Sequence, residues 1–207
     1  MTIVLASTSP RRYQILSLLD LPFLMVSPEG SEVSSEGRPP GQEALFQARR
    51  KAASVAARFP EAVLIGSDTL ICLDGATIGK PGDLNDARGI LRRLRGRTHE
   101  VVTAVALLRG ERTVEAVETA QVRMREFSDQ ELEAYLATGD SLDKAGAYSV
   151  QGLGRSLIEG VDGDYLAVVG LPLRAVAGGL GQFGIEVPAD LDRLYRERNF
   201  LNWRTFG

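Results

Sequence analysis

Residues 99–127, HEVVTAVALLRGERTVEAVETAQVRMREF, contain two long runs of β-type residues that join near Arg109 and Gly110. Such runs, bounded by turn residues, predict two long strands. Shorter strand runs precede them at residues 2–6 and 62–73, and segments with helical spacing lie between these runs. The chain is therefore predicted to combine strands and helices around a globular core.

The bulk composition places the protein among ordinary globular domains. The chain has 207 residues, enough for one large domain or two small lobes, and 44% of them are hydrophobic and 25% charged, which excludes a disordered or fibrous protein. The net charge of −3 argues against general nucleic-acid binding, which needs a basic face. No signal peptide or membrane span is visible, so we expect a cytoplasmic protein that contacts no membrane.

Two residue types occur only once and limit the chemistry. Cys72 is the single cysteine, which excludes a disulfide framework and predicts a buried, inert thiol. His99 is the single histidine, so a zinc site with two histidines is excluded and a serine triad would depend on this residue alone. We expect His99 to have a structural role at the start of a strand.

The stretch ASTSPRR, residues 6–12, predicts a turn from a strand into a helix. Ser9 suits the N-cap and Pro10 the first helical residue. The same stretch gathers hydroxyl groups, backbone N–H groups and two arginines at a helix N-terminus, where an anion is favoured. Either a plain helix cap or a phosphate cradle, formed by Ser7, Ser9 and Arg12, fits this pattern.

The apolar run AVLIGSDTLICL, residues 62–73, contains a carboxylate, Asp68. A charge in a buried strand is costly unless it is paired or bound to a metal, which favours a functional role for Asp68. A DG turn at Asp74 and Gly75 predicts a hairpin whose returning strand ends at Lys80. Lys51 lies on the next helix upstream, predicted over residues 43–59, EALFQARRKAASVAARF.

Two glycine patterns do not predict nucleotide sites. GATIGK, residues 75–80, is one residue too short for a P-loop and is followed by Pro81 instead of Ser or Thr. GLGQFG, residues 179–184, matches GxGxxG but follows a predicted helix, so we interpret it as a helix end with a C-cap glycine.

Five blocks in order resemble the signature of the Maf family of nucleoside triphosphate pyrophosphatases. They are ASTSPRR, GSDTLICLDGATIGKPGD, LRGRTHEVVTAVAL, LDKAGAYSVQGLG and IEGVDGDYLAVVGLPL, and the likeness runs from residue 3 to about 186. The resemblance implies an α/β fold like that of inosine triphosphatases, with an elongated mixed β-sheet flanked by helices and an active-site cleft between two lobes. It also implies hydrolysis of a nucleoside triphosphate to the monophosphate and pyrophosphate with a divalent metal, Mg²⁺ or Mn²⁺.

The resemblance assigns roles to particular residues. Asp68 matches the catalytic carboxylate that activates the attacking water, and the further active-site positions are Ser7, Arg12, Glu32, Lys51 and Lys80. The cations suit the charge on a departing pyrophosphate, and Glu32 and Asp68 are the candidate metal ligands. The sequence does not separate a role of Asp68 as base from a role as metal ligand.

Three positions bear on the base of the nucleotide. Arg11, Thr69 and Gln151 match the branch of the family that prefers dTTP and UTP, and the amide of Gln151 suits the donor and acceptor edge of uracil or thymine. The branch that acts on 7-methyl-GTP is one alternative, and a nucleotide-binding regulator of cell division or septum formation is another.

The family domain is predicted to cover residues 1–187, followed by a C-terminal tail at residues 188–207 without a functional interpretation. The aromatic residues Tyr195, Phe200 and Trp203 suggest that this tail docks on the domain or on a partner. A homodimer is expected by resemblance alone.

Overall fold

The computed structural model of the protein describes residues 1–30 and 37–206. In these ranges the strands are β1 (Ile3–Ala6), β2 (Leu24–Val26), β3 (Val63–Leu73), β4 (Ala76–Ile78), β5 (Thr98–Arg109), β6 (Arg112–Met124) and β7 (Ile158–Asp162). The helices are α1 (Pro10–Ser17), α2 (Pro40–Ala53), α3 (Leu84–Leu94), α4 (Asp129–Leu136), α5 (Tyr165–Val169), α6 (Leu173–Gln182) and α7 (Leu191–Glu197). Short 3₁₀ turns connect some of them.

The strands form a mixed sheet with the order β2-β1-β3-β5-β6-β7, and β4 pairs with β3. β1 is parallel to both β2 and β3. The neighbouring pairs β3–β5, β5–β6 and β6–β7 are antiparallel. The two long runs at residues 99–127 are β5 and β6, as predicted. The predicted mixed sheet flanked by helices is confirmed.

One edge of β3 is paired in two separate places. β1 pairs with residues 63–65 of β3 and β4 pairs with residues 71–73, while β5 covers the opposite edge from residue 64 to residue 72. Residues 66–70 therefore have no strand partner on the first edge among the described strands. Asp68 lies at the centre of this gap.

The two faces of the sheet carry different layers. On one face, α2 packs through Ala44, Ala48 and Ala52 against small and β-branched residues of β3 and β5. On the other face, α1, α3, α4, α5 and α6 cover the larger hydrophobic core. Because side chains alternate along a strand, successive residues of β3 face different layers.

Local sequence signals are confirmed at several turns and caps. Ser9 is the N-cap of α1, and Ser128 forms a capping box with Glu131 at the start of α4. Asp74 and Gly75 both have positive φ, as a tight hairpin turn requires. GLGQFG covers the end of α6, and its last residue, Gly184, is in the left-handed region.

The helix predicted over residues 43–59 is displaced. α2 begins three residues earlier, at Pro40, because proline is well suited to the first turn of a helix. It ends at Ala53, and only a short 3₁₀ turn, Ala56–Arg58, follows.

The C-terminal tail packs on the domain. Trp203 is 5% exposed, and its ring stacks on Tyr165 with the centroids 5.6 Å apart. None of the helices in the described ranges combines the length and hydropathy that a membrane span needs.

Candidate active site

Asp68 and Lys51 form an ion pair at the gap in the edge of β3. The Lys51 ammonium donates to Oδ1 of Asp68 over 2.5 Å, and both side chains are largely buried, with 16% and 12% of their surface exposed. Lys51 reaches the strand because α2 lies directly on it. The pair satisfies the requirement that a carboxylate in a buried strand has a partner.

A line of polar side chains continues from Lys51 along α2. The amide of the buried Gln47 donates to Glu43 over 2.6 Å, and Arg50 donates to the amide oxygen of Gln47 over 3.3 Å. These residues are three or four positions apart, so they share one side of the helix. A cavity of about 200 Å³ lies next to this line, bounded by Gln47, Arg50, Lys51, Thr8 and residues 27–30. Its walls carry the cationic side chains of Arg50 and Lys51 and the carboxylate of Glu29, so two of its three charged side chains are positive.

The turn at residues 7–9 shows one of the two features predicted from ASTSPRR, the helix cap. Ser7 is buried at the end of β1, and its Oγ accepts a hydrogen bond from the N–H of Ser9 over 3.1 Å. Ser9 Oγ accepts from the N–H of Arg12 over 3.5 Å and so caps α1. The cavity adjoins this turn through Thr8. The helix cap is present, and the phosphate cradle stays a prediction.

Arg12 contacts the other face of β3. Its Nε donates to the carbonyl of Gly170 over 2.8 Å, and a terminal nitrogen donates to Thr69 Oγ1 over 3.3 Å. The hydroxyls of Thr103 and Thr69 share a hydrogen bond of 3.0 Å, and the Ser67 hydroxyl lies 2.9 Å from the carbonyl oxygen of Ala104 and 3.1 Å from that of Gly170. Asp68 and Thr69 are adjacent in the strand, so Lys51 and Arg12 approach it from opposite sides.

Arg11 acts electrostatically on Asp143, eight positions before Gln151. In the segment of residues 140–152, Lys144 donates to Asp143 over 2.5 Å and lies 3.0 Å from Oδ1 of Asp140. The hydrogen bond from Lys144 lowers the pKa of the Asp143 carboxyl, and the positive charge of Arg11 contributes to the same shift. Arg11 is therefore close enough to sense this segment electrostatically.

Gln151 is the one proposed specificity residue with an unsatisfied group. Its Nε2 is buried and has no hydrogen-bond partner in residues 1–30 and 37–206. A buried amide donor without a partner is costly, and a bound ligand would satisfy it.

Of the last two predicted site residues, the structure describes Lys80. Lys80 is exposed and follows β4, where the antiparallel register carries the chain back toward the Thr69 end of β3. Glu32 lies outside the described residues. Its predicted role as a metal ligand stays a prediction.

The described residues alone do not make a complete metal centre. Nowhere in the described ranges do three His, Cys, Asp or Glu side chains gather. A Mg²⁺ ion, however, needs only one or two carboxylates when substrate phosphates and water supply its other ligands. The Asp68 carboxylate at an open strand edge fits that partial donor set.

The single histidine and cysteine are buried away from this chemistry. His99 Nε2 lies 2.6 Å from the Tyr148 hydroxyl, and burial lowers the pKa of His99 to about 4. Burial raises the pKa of the Cys72 thiol to about 11. Both placements agree with the structural roles predicted for them.

The sequence argument missed Gln47, Ser67 and Thr103. Gln47 could have been found, because Glu43, Gln47 and Lys51 repeat every four residues on a helix whose neighbouring positions are alanines. Ser67 and Thr103 could not, since their roles depend on contacts with residues 64 to 103 positions away.

The chain is similar to proteins of known family. A family model described as Maf-like protein matches residues 2–183. Relatives named dTTP/UTP pyrophosphatase include one from Symbiobacterium thermophilum, 41% identical over 185 residues, 89% of this chain and 95% of the relative. Another from Dictyoglomus turgidum is 44% identical over 185 residues, 88% of this chain and 96% of the relative.

A solved structure also overlaps in part. It is a nucleoside-triphosphatase / dITP/XTP pyrophosphatase from Mycobacterium abscessus, with 22% identity and a TM-score of 0.42 over 61% of this chain and 76% of that chain. The family model and the two relatives, in contrast, each span more than four fifths of this chain. On that evidence, the protein belongs to the Maf family.

Proposed function

We propose that this protein hydrolyses dTTP and UTP to the corresponding monophosphate and pyrophosphate. The observation that carries the proposal is the Asp68–Lys51 pair, which lies where β3 has no strand partner among the described residues, beside a cavity lined by Arg50, Lys51 and Glu29. The names of the relatives from Symbiobacterium thermophilum and Dictyoglomus turgidum support the choice of substrate. The proposed reaction uses free nucleotides in the cytoplasm and requires neither nucleic acid nor a membrane.

In the proposed reaction, Asp68 is the general base. Water attacks the α-phosphorus, its proton passes to the Asp68 carboxylate, and the bond from the α-phosphorus to the oxygen that bridges to the β-phosphorus breaks. Pyrophosphate leaves with its negative charge. Lys51 orients the carboxylate and places a positive charge near the phosphates, which stabilises the transition state.

The phosphates are proposed to bind around the turn at residues 7–9. The hydroxyls of Ser7 and Ser9 and the N–H groups at the start of α1 favour an anion there. The cavity is smaller than the roughly 300–1,000 Å³ of typical ligand clefts, so it suits one part of a nucleotide. Arg12 and Lys80 are proposed as further phosphate contacts, Arg12 in addition to its bonds to Thr69 and Gly170.

The base is proposed to bind near Arg11, Thr69 and Gln151. The partnerless Nε2 of Gln151 would donate to a pyrimidine carbonyl, O4 of uracil or thymine being the candidate. Thr69, held by Arg12 and Thr103, would shape the wall beside the base.

A divalent cation, Mg²⁺ or Mn²⁺, is part of the proposal. Asp68 would hold it together with Glu32 and the substrate phosphates. When bound, such a cation neutralises phosphate charge and polarises the phosphoryl oxygens.

A nucleotide panel tests the proposal. Pyrophosphate release is followed for dTTP, UTP, the other common nucleoside triphosphates and 7-methyl-GTP, with Mg²⁺ or Mn²⁺. The variants are Asp68→Asn and, as a matched control on the same hairpin, Asp74→Asn, whose exposed carboxylate only pairs with Arg97. We expect a loss of kcat of about a thousandfold for Asp68→Asn and less than about twofold for Asp74→Asn.

Each alternative outcome has a distinct meaning. If 7-methyl-GTP is the best substrate, the assignment of Arg11, Thr69 and Gln151 is wrong, although the reaction type stands. If dTTP binds but no triphosphate is cleaved, a nucleotide-binding regulator is the better description. Full activity in Asp68→Asn would remove Asp68 from the mechanism.

A further inference from the structure

The C-terminal tail carries a contact that the predicted function does not use. The family model ends at residue 183, yet the chain continues and packs α7 and the following turn against the domain. The Tyr195 hydroxyl donates to Asp164 over 2.9 Å, and the Tyr165 hydroxyl donates to the carbonyl of Leu201 over 2.5 Å. These bonds, with the burial of Trp203, give residues 195–203 a defined position.

Within this anchored segment, Asn202 reaches the loop that contains Gln151. Its Nδ2 donates to the carbonyl oxygens of Val150 over 3.2 Å and Gln151 over 3.0 Å. Asn202 has a φ of 60°, a conformation that asparagine tolerates better than most residues. One side chain therefore bridges two successive peptide units of the loop.

The loop position matters because the side chain of Gln151 is unsatisfied. Val150 is buried in the core on one side, and Asn202 holds the carbonyls of Val150 and Gln151 on the other, so the backbone from which the Gln151 side chain extends is fixed on both sides. A polar group that must read a base gains affinity and selectivity when it is held in place before the ligand arrives.

We propose that Asn202 is a positioning residue for base recognition, and that the tail after residue 183 completes the nucleotide-binding site. This inference rests on the proposed function through Gln151. Asn202 acts through the backbone of Val150 and Gln151 and does not contact the reacting atoms.

The experiment uses the full chain with Asn202→Gly, which retains the left-handed backbone and removes the amide. The matched control is Asn199→Gly in the same tail, where the exposed amide donates to Glu197 and accepts from Arg204, with no bond to residues 149–153 among the described residues. Initial rates are measured for dTTP and for dGTP, and tripolyphosphate is used as an inhibitor without a base. Amide hydrogen exchange of residues 149–153 is measured in both variants without nucleotide.

We expect Asn202→Gly to raise KM for dTTP about tenfold and to change kcat by less than about twofold. KM and kcat for dGTP and the inhibition constant of tripolyphosphate should stay unchanged. Exchange in residues 149–153 should become about tenfold faster, and Asn199→Gly should change none of these quantities. Equal loss of kcat/KM for both nucleotides, with tripolyphosphate binding also weakened, would overturn the inference. So would unchanged exchange and an unchanged dTTP preference.

The two proposals fail in different ways. Absence of dTTP and UTP hydrolysis by the unmodified protein counts against the proposed function. In that case, the unmodified protein and Asn202→Gly are compared by their dissociation constants for dTTP and dGTP. An unmodified protein that binds neither nucleotide overturns the base-recognition role of Asn202. Hydrolysis of dTTP by the unmodified protein with no selective effect in Asn202→Gly counts against the positioning role alone.

Discussion

Asp68 occupies a position in which burial and accessibility are combined. It belongs to a strand with buried residues on both sides, yet the edge of that strand is unpaired at residues 66–70. The carboxylate is thus held by Lys51 at a point where β3 has no strand partner on that edge among the described residues.

The ion pair can be tested through stability. In Lys51→Met, the largely buried Asp68 carboxylate loses its partner, so the free energy of unfolding should fall by about 3 kcal/mol. In the double variant Lys51→Met/Asp68→Asn, most of that loss should be recovered, because the unpaired charge is gone. Urea unfolding of the unmodified protein, the two single variants and the double variant forms a complete cycle. Strict additivity of the two single effects would contradict a coupled pair.

His99 makes a prediction about pH. Its pKa is about 4 in the folded protein and about 6.5 in the unfolded protein. Below about pH 6.5, the unfolded state therefore binds a proton that the folded state does not bind until the pH approaches 4. Stability from this residue is present above pH 6.5 and is lost as the pH falls toward 4. At pH 5 the loss should be about 2 kcal/mol relative to pH 7.5.

The measurement compares unfolding free energies of the unmodified protein and His99→Gln at both pH values. Gln can still bond the Tyr148 hydroxyl but takes up no proton, so its pH dependence should be smaller by about 2 kcal/mol. An identical pH dependence in the two proteins would show that His99 does not titrate as its burial implies.

At the scale of single residues, the sequence predicted what depends on near neighbours. The Ser9 cap, the capping box of Ser128 and the hairpin turn at Asp74 all follow from residues within four positions. The bond from Asn202 to Gln151 spans 51 positions and has no local signal. A carboxylate within an apolar run, Asp68, indicated a site, but only the fold identified Lys51 as its direct partner.

At the scale of elements, the site depends on how closely α2 approaches β3. The alanines of α2 face small residues of the sheet, including Gly66. A Cβ placed on Gly66 would lie 2.0 Å from the carbonyl oxygen of Ala48 and 2.7 Å from the nitrogen of Ala52. Both are backbone atoms, so the helix itself would have to move, and Lys51 would move with it.

Gly66→Ala should therefore lower the free energy of unfolding by about 3 kcal/mol. It should also lower kcat, with a smaller change in KM, because the Lys51–Asp68 geometry changes while the contacts to the base do not. Gly89→Ala is the matched control, since Gly89 is an exposed glycine inside α3 with nothing within 4 Å of an added Cβ. The free energy of unfolding of that control should rise by up to about 1 kcal/mol. Chemical unfolding and steady-state kinetics measure both effects, and a neutral Gly66→Ala would disprove the close approach.

The elements themselves were more predictable than their arrangement. Hydrophobic periodicity located β3, β5 and β6 within a few residues, because strands and helices differ in their spacing. Which strand pairs with which depends on long-range contacts, so the interrupted edge of β3, with β1 and β4 on the same side, could be expected only by resemblance.

At the scale of the whole molecule, the tail is continuous with the core. The ring of Trp203 lies between Tyr165, on which it stacks, and Tyr195, which it meets edge-on with centroids 5.0 Å apart. Trp203 also belongs to the same hydrophobic cluster as Ile65 and Leu107 of the central strands. We therefore expect the tail and the domain to unfold in one cooperative step.

Replacing Trp203 tests this continuity. Trp203→Ala removes a large buried side chain and should lower the free energy of unfolding by about 3–5 kcal/mol, with a single transition at a lower midpoint. Leu201→Ala is the control, because its side chain is 56% exposed and its backbone carbonyl still accepts from Tyr165. That control should change the free energy of unfolding by less than about 0.5 kcal/mol.

Thermal unfolding of the unmodified protein, followed by circular dichroism and by tryptophan fluorescence, should give coincident curves. If fluorescence changes first, or if Trp203→Ala leaves the midpoint unchanged, the tail is a separate unit whose loss the domain tolerates.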